Sequence, residues 1–196
     1  MKRPLFIILS GPNGSGKSTS APSLLQGTLG VSEFVNADVI ARGISGFDPE
    51  KAAIQAGRVM IQRLYHLSNH KMNFAFETTL ASRSLVNQVE RLKELFGYHS
   101  HLIYLWLNSP DLALERVAER VRLGGHDIPE DVIRRRYKAG LKNFFNLYCD
   151  LCDGWHFYDN SSSGFPVMIA KRDTPNGVIV YNKDLWDCIR EKYCEI

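Results

Sequence analysis

The stretch Gly11-Pro12-Asn13-Gly14-Ser15-Gly16-Lys17-Ser18 constrains this chain more than any other. It fits G-x-x-x-x-G-K-[ST] at every position, follows the apolar run Leu5–Ser10 and opens a helix-period segment over Lys17–Gln26. In that order, strand, loop and helix let consecutive backbone N–H groups turn inward on an anion, with the helix N-terminus adding its dipole. Lys17 can then reach the outer phosphates of a nucleotide, and the Ser18 hydroxyl can ligate Mg²⁺. Gly11, Pro12, Asn13, Gly14, Ser15, Gly16, Lys17, Ser18 and Thr19 are therefore expected to bind ATP.

Apolar runs and helix-period segments alternate along the rest of the chain. Strands are expected at Glu33–Asn36, Phe74–Glu77, His101–Leu107 and Trp155–Tyr158. Helices are expected from Asp48-Pro49 to Ser68, over Ser82–Phe96, from Ser109-Pro110 to Leu123, from Pro129 to Tyr148, and from Lys183 onward. Val167–Lys171 and Val178–Tyr181 flank Thr174-Pro175-Asn176-Gly177, a hairpin turn. Strand-helix alternation predicts a mostly parallel sheet between two layers of helices, connected by right-handed crossovers. The expected fold is an α/β P-loop NTPase sandwich, one domain over residues 1–196 with a C-terminal hairpin and helix over about 165–196.

The net charge of +3 is slight, with 24 Lys and Arg against 21 Asp and Glu, but it is unevenly placed. Between Arg116 and Lys142 eight basic residues face four acids, a surplus of +4 that leaves −1 for everything else. Arg116 and Arg120 share one helix face, Gly124-Gly125-His126-Asp127 breaks the helix, and Arg134-Arg135-Arg136 follow on the next. A charged helix–Gly–helix segment over about 116–142 suits a lid closing over ATP phosphates, and at least one of the three consecutive arginines must point elsewhere. Two acids fall at strand ends, Asp38 after the second strand and Glu77 after the third, on the rim where open α/β sheets bind ligands. A kinase needs one carboxylate to take the acceptor proton and another near Mg²⁺ or substrate. A capping role for Asp38 and a plain strand terminus at Glu77 are the alternatives. Asn160 and Ser161–Ser163 follow the fifth strand, where P-loop kinases contact the base, and Arg58 faces either acceptor or solvent.

With these residues in place, the chain resembles the zeta-toxin-like P-loop kinases. The resemblance rests on Gly11–Ser18, Phe34-Val35-Asn36-Ala37-Asp38 with Ile40-Ala41-Arg42-Gly43, and Phe74-Ala75-Phe76-Glu77-Thr78-Thr79-Leu80. It continues through Tyr104–Leu107, Arg120–Pro129, Ile133–Tyr137 and Tyr158-Asp159-Asn160. It implies a nucleoside-kinase-like sheet and phosphorylation of a nucleotide-activated sugar, in zeta toxins the 3′-hydroxyl of the N-acetylglucosamine unit of UDP-N-acetylglucosamine. By that resemblance Asp38 matches the catalytic base and Lys17 the phosphate-loop lysine. Glu77, Thr78 and Thr79 fall in the substrate-pocket segment, and Arg120 matches a lid arginine, with Arg116 on the nucleotide side. His126 or Arg135 stands near the place of the second lid arginine.

Two other readings remain open: a nucleoside or nucleoside-monophosphate kinase, and a nucleotide-dependent switch or nucleic-acid-binding ATPase. The slight charge and the lack of a nucleic-acid module argue against a nucleic-acid partner. The missing LSGGQ-like signature and the short chain argue against a strict ABC ATPase. The expected partner is a small-molecule acceptor of the UDP-sugar kind; an antitoxin-type protein partner stays open, since none can be read from the chain, and toxicity does not follow. Leu5–Leu9 is too short for a membrane span or a signal peptide, and four cysteines without a zinc-type second pair suit reduced thiols; the expected compartment is the cytoplasm.

Overall fold

A computed structural model describes residues 3–28, 31–48, 51–125, 127–173 and 177–195. Its frame is a seven-stranded sheet: β1 (Leu5–Ser10), β2 (Glu33–Val35), β3 (Phe74–Thr78), β4 (His99–Trp106), β5 (Gly154–Asp159), β6 (Val167–Arg172) and β7 (Ile179–Val180). The spatial order is β2-β3-β1-β4-β5-β6-β7. The first five strands are parallel, while β6 runs antiparallel to β5 and β7 antiparallel to β6. The mostly parallel sheet and the edge hairpin expected from sequence are both present, although the turn at 174–176 lies outside the described residues.

Strand β1 shows why its sequence is apolar throughout. Phe6 and Ile8 enter one core, Ile7 and Leu9 the other, and all four are fully buried. The larger core takes Leu64 and Leu67 from α3 (Ala53–Asn69), Leu92 from α4 (Ser84–Glu94) and Val117 from α5 (Pro110–Arg122). It also takes Tyr137 from α6 (Glu130–Asn143) and Trp186 from α8 (Lys183–Tyr193). On the opposite face, α1 (Lys17–Ala21) and the π-helical turn that continues it over Pro22–Thr28 supply Ala21 and Leu25. Pro22 has no N–H to extend the α-helical ladder, which accounts for the change of helix type.

The sequence reading differs from the structure between β2 and α3. An eight-residue helix, α2 (Ala37–Ile44), follows β2 directly, and α3 begins at Ala53 rather than at Asp48-Pro49. Asn36 caps α2: its side-chain oxygen accepts from Asp38 N at 2.8 Å and Val39 N at 3.3 Å. Pro49 lies outside the described residues. The helix expected to run to Tyr148 is α-helical only to Asn143, then π-helical over Phe144–Tyr148, with α7 (Cys149–Leu151) closing it. No helix among the described residues is long and apolar enough to cross a membrane. All four cysteines are free, and burial pushes the Cys152 thiol up to about 12.

Candidate active site

In the sheet β1 stands between β3 and β4, where the connections change sides, so its carboxyl end opens into the crevice where ligands gather. The loop Gly11–Gly16 leaves β1 there. Gly11 has φ 142°, and a Cβ on it would lie 2.2 Å from the Leu105 carbonyl oxygen of β4. Only glycine lets the loop turn this tightly against the central strands. The loop is braced from outside by Asn160, whose side-chain amide donates to Ser15 O at 2.8 Å. Arg116 in turn donates to Asn160 O at 2.8 Å and Ser161 O at 2.9 Å, so its guanidinium supports the loop after β5.

Lys17 is buried and donates to the carbonyls of Gly11 at 2.9 Å and Pro12 at 2.8 Å. Burial pulls its ammonium below the ordinary lysine value; Glu77 and Asp38 oppose that pull, and Arg120 and Arg136 add to it. Two acids and two arginines, Arg120 from α5 and Arg136 from α6, are therefore close enough to act on this one charge. The Ser15 hydroxyl is buried and has no hydrogen-bond partner among the described residues, which is uncommon for a buried polar group.

Glu77, at the end of β3, is the hub of the loop's far side. Its Oε2 accepts from Ser18 Oγ at 2.8 Å and from Asn36 Nδ2 at 2.8 Å, while Oε1 lies 3.8 Å from Lys17 Nζ. Sequence reasoning set Glu77 near Mg²⁺ or substrate, and the resemblance set it in the substrate-pocket segment; the structure puts its carboxylate against the Ser18 hydroxyl and in the lining of a large cavity with Thr78 and Thr79. Asn36 was missed as a site residue. Its signal was present, an Asn followed by helix-period residues, but the helix it starts went unseen.

Asp38, on the exposed first turn of α2, lines two cavities. The larger, about 930 Å³, lies beside α3 and the segment from the end of β3 to the start of α4. Lys17, Asp38, Glu77, Thr78 and Thr79 line it together, as does Arg58, whose orientation the sequence left open. The smaller, about 510 Å³, lies between α2 and the α5–α6 segment and is lined by Asp38, Arg42, Arg120, Arg135 and Arg136. Arg136, not singled out beforehand, thus joins Arg120 near Lys17. Arg134 points elsewhere, into Asp111 Oδ1 at 2.7 Å and Glu130 Oε1 at 2.8 Å. His126 lies outside the described residues.

Helix α6 also grips the segment after β3 that lines the larger cavity. A Cβ on Gly140 would lie 2.4 Å from Thr79 O, and Asn143 Nδ2 donates to Leu80 O at 2.6 Å. Leu80 is fully buried with φ 55°, a left-handed conformation that costs a leucine about 1–2 kcal/mol. Neither α6 contact had a signal in the sequence.

Comparison with known proteins agrees with this geometry. The Zeta toxin family model matches residues 1–151. A Haemophilus influenzae protein described as uncharacterized is 35% identical over 131 residues, covering 67% of this chain and 91% of that one. Among solved structures, AvrRxo1-ORF1:AvrRxo1-ORF2 with sulphate ions has a TM-score of 0.77 at 18% identity, over 99% of this chain and 66% of that one. The same pair solved with ATP has a TM-score of 0.74 at 17% identity, over 99% of this chain and 65% of that one. The chain thus spans about two thirds of the length of those proteins. The structure from the PezAT chromosomal toxin-antitoxin system of Streptococcus pneumoniae has a TM-score of 0.69 at 17% identity, over 100% of this chain and 81% of that one. The structural matches establish likeness of fold, and the family match covers most of the sequence: the chain belongs to the zeta toxin family, with the α/β fold of the P-loop kinases.

Proposed function

We propose that this chain is an ATP- and Mg²⁺-dependent kinase that phosphorylates a hydroxyl of a nucleotide-activated sugar, with UDP-N-acetylglucosamine the first candidate. The observation that carries this reading is the 930 Å³ cavity, which has Lys17 and Asp38 in one lining. A nucleotide-dependent switch needs no acceptor space beside its phosphate loop. A kinase does, and this volume lies at the upper end of the roughly 300–1,000 Å³ range of small-molecule sites.

In this reading the loop N–H groups and Lys17 hold the ATP phosphates. Arg120 and Arg136 approach the transferred group from the lid, where fixed positive charge stabilises negative charge that builds on the equatorial oxygens. Asp38 accepts the proton of the acceptor hydroxyl, and Thr78 and Thr79 orient the acceptor from the opposite wall. Ser18 and Glu77 present hydroxyl and carboxylate oxygens, the hard donors Mg²⁺ prefers beside nucleotide phosphates. When bound there, the ion would neutralise phosphate charge. Arg116 serves the nucleotide side through the loop it supports. A protein partner of the antitoxin type belongs to the same reading, since the PezAT system is described as a toxin-antitoxin system and AvrRxo1-ORF1 is solved in complex with AvrRxo1-ORF2.

The test is a screen of nucleosides, nucleoside monophosphates and UDP-sugars with ATP, read by mass spectrometry of the product. A phosphorylated UDP-sugar is expected. Asp38→Ala is expected to lower acceptor-dependent ADP formation by about 10²–10⁴-fold with ATP binding retained. A phosphorylated nucleoside or monophosphate instead would move the substrate assignment, and normal turnover by the variant would remove Asp38 from its role.

A further inference from the structure

The charges lining the large cavity do not balance. Lys17, Arg58, Arg135 and Arg136 face only Asp38 and Glu77. Glu77 is engaged by Ser18, Asn36 and Lys17, and Arg136 acts near Lys17 on the phosphate side. Arg58 from α3 and Arg135 from α6 are left over, and neither makes an ion pair among the described residues.

Their chain neighbours make the contrast. Arg63, further along α3, is tied to Glu33 Oε2 at 2.7 Å, and Arg134 is held by Asp111 and Glu130. Arginines with a structural partner thus occur on both helices, while these two are offered to the cavity. A neutral acceptor would have to be held beside two guanidinium groups with Asp38 as the one lining carboxylate not already engaged, a single negative charge against two positive ones. A phosphate oxygen pair matches the planar fork of each.

We infer that Arg58 and Arg135 form an anion subsite for the acceptor, taking its phosphate or diphosphate group while the hydroxyl to be modified lies at Asp38. The apolar stretch of the same cavity at Ile54, Ile61 and Leu85 accommodates the ring system attached to that group. This rests on the reading of the large cavity as the acceptor site and adds the chemical handle by which the acceptor is held. Arg42 is the built-in control, because it lines only the smaller cavity.

The test uses the full chain saturated with a non-hydrolysable ATP analogue, so that the phosphate loop is occupied. Inorganic pyrophosphate is titrated in calorimetrically at fixed free Mg²⁺. Wild-type protein is expected to bind it, Arg58→Ala and Arg135→Ala each about 10-fold or more weakly, Arg58→Lys in between, and Arg42→Ala within about 2-fold of wild type. The subsite is overturned if the loaded wild type binds no pyrophosphate, or if Arg58→Ala binds it as wild type does. It is equally overturned if Arg42→Ala loses as much as Arg58→Ala, which would put the anion in the smaller cavity. Failure of the sugar-kinase reading looks different: UDP-N-acetylglucosamine goes unphosphorylated while the pattern of pyrophosphate binding stands.

Discussion

On the phosphate side of the site, polar groups are held in place by the fold. Lys17 is buried against two carbonyls, Glu77 is fixed by Ser18 and Asn36, and Asn160 ties the loop to the end of β5. On the side of the large cavity the charged groups Asp38, Arg58 and Arg135 are exposed and make no ion pair among the described residues. The first half is preorganised by backbone and buried hydrogen bonds, so it acts on whatever triphosphate arrives with little rearrangement. In the proposed reading the second half relies on side chains whose partner is the ligand, which would let one scaffold change acceptor without changing its phosphate chemistry.

The comparison breaks most visibly at Gly11. Alanine there must place a Cβ 2.2 Å from Leu105 O at φ 142°, so the loop has to leave its seat on the sheet. Gly11→Ala is expected to abolish ATP binding and to cost about 3 kcal/mol of stability, measured by nucleotide titration and by urea denaturation. Wild-type ATP affinity in this variant would mean that the backbone of the loop does not hold the phosphates, and the preorganised half would lose its basis.

Glu77 sharpens the same contrast with a smaller effect. Glu77→Gln keeps the shape and a donor-acceptor group but removes the charge beside Ser18 and Lys17. The expected result is a loss of about 10- to 100-fold in Mg²⁺-dependent ATP affinity, with affinity in excess EDTA nearly unchanged. Were the variant to lose acceptor affinity instead, Glu77 would belong to the substrate pocket, as its place after β3 first suggested.

What was legible in the sequence follows the same division. The phosphate loop could be read because its function is carried by backbone geometry that only particular residue types permit, and β1 because burial on both faces demands an unbroken apolar run. Asp38 and Arg120 could be singled out by motif, and both lie close enough to act on the Lys17 charge. The role of Glu77 could not, because its partners Ser18 and Asn36 lie 59 and 41 residues away. Arg116 was expected on the nucleotide side, and nothing in a basic residue on a helix points to the carbonyls 44 and 45 residues on that it braces. Helix α2 was hidden by its length of eight residues and by a glycine, Gly43, near its end.

Asn143 offers the smallest and most discriminating test, since α6 carries Arg136 toward the phosphates and Asn143 two turns later toward the acceptor wall. Asn143→Ala leaves the carbonyl of fully buried Leu80 without its donor, at about 1–3 kcal/mol, and releases the left-handed turn that this contact restrains. Thr79 precedes Leu80 and lines the large cavity, so relaxation of the turn reaches the acceptor first. The expected outcome is a modest loss of stability in urea and a several-fold rise in the acceptor KM, with ATP affinity held within about 2-fold. The conservative change Asn143→Gln should recover part of both if the amide can still reach Leu80 O. An equal fall in ATP and acceptor affinity would instead show that α6 transmits the disturbance to Arg136, and the two halves of the site would then be one mechanical unit.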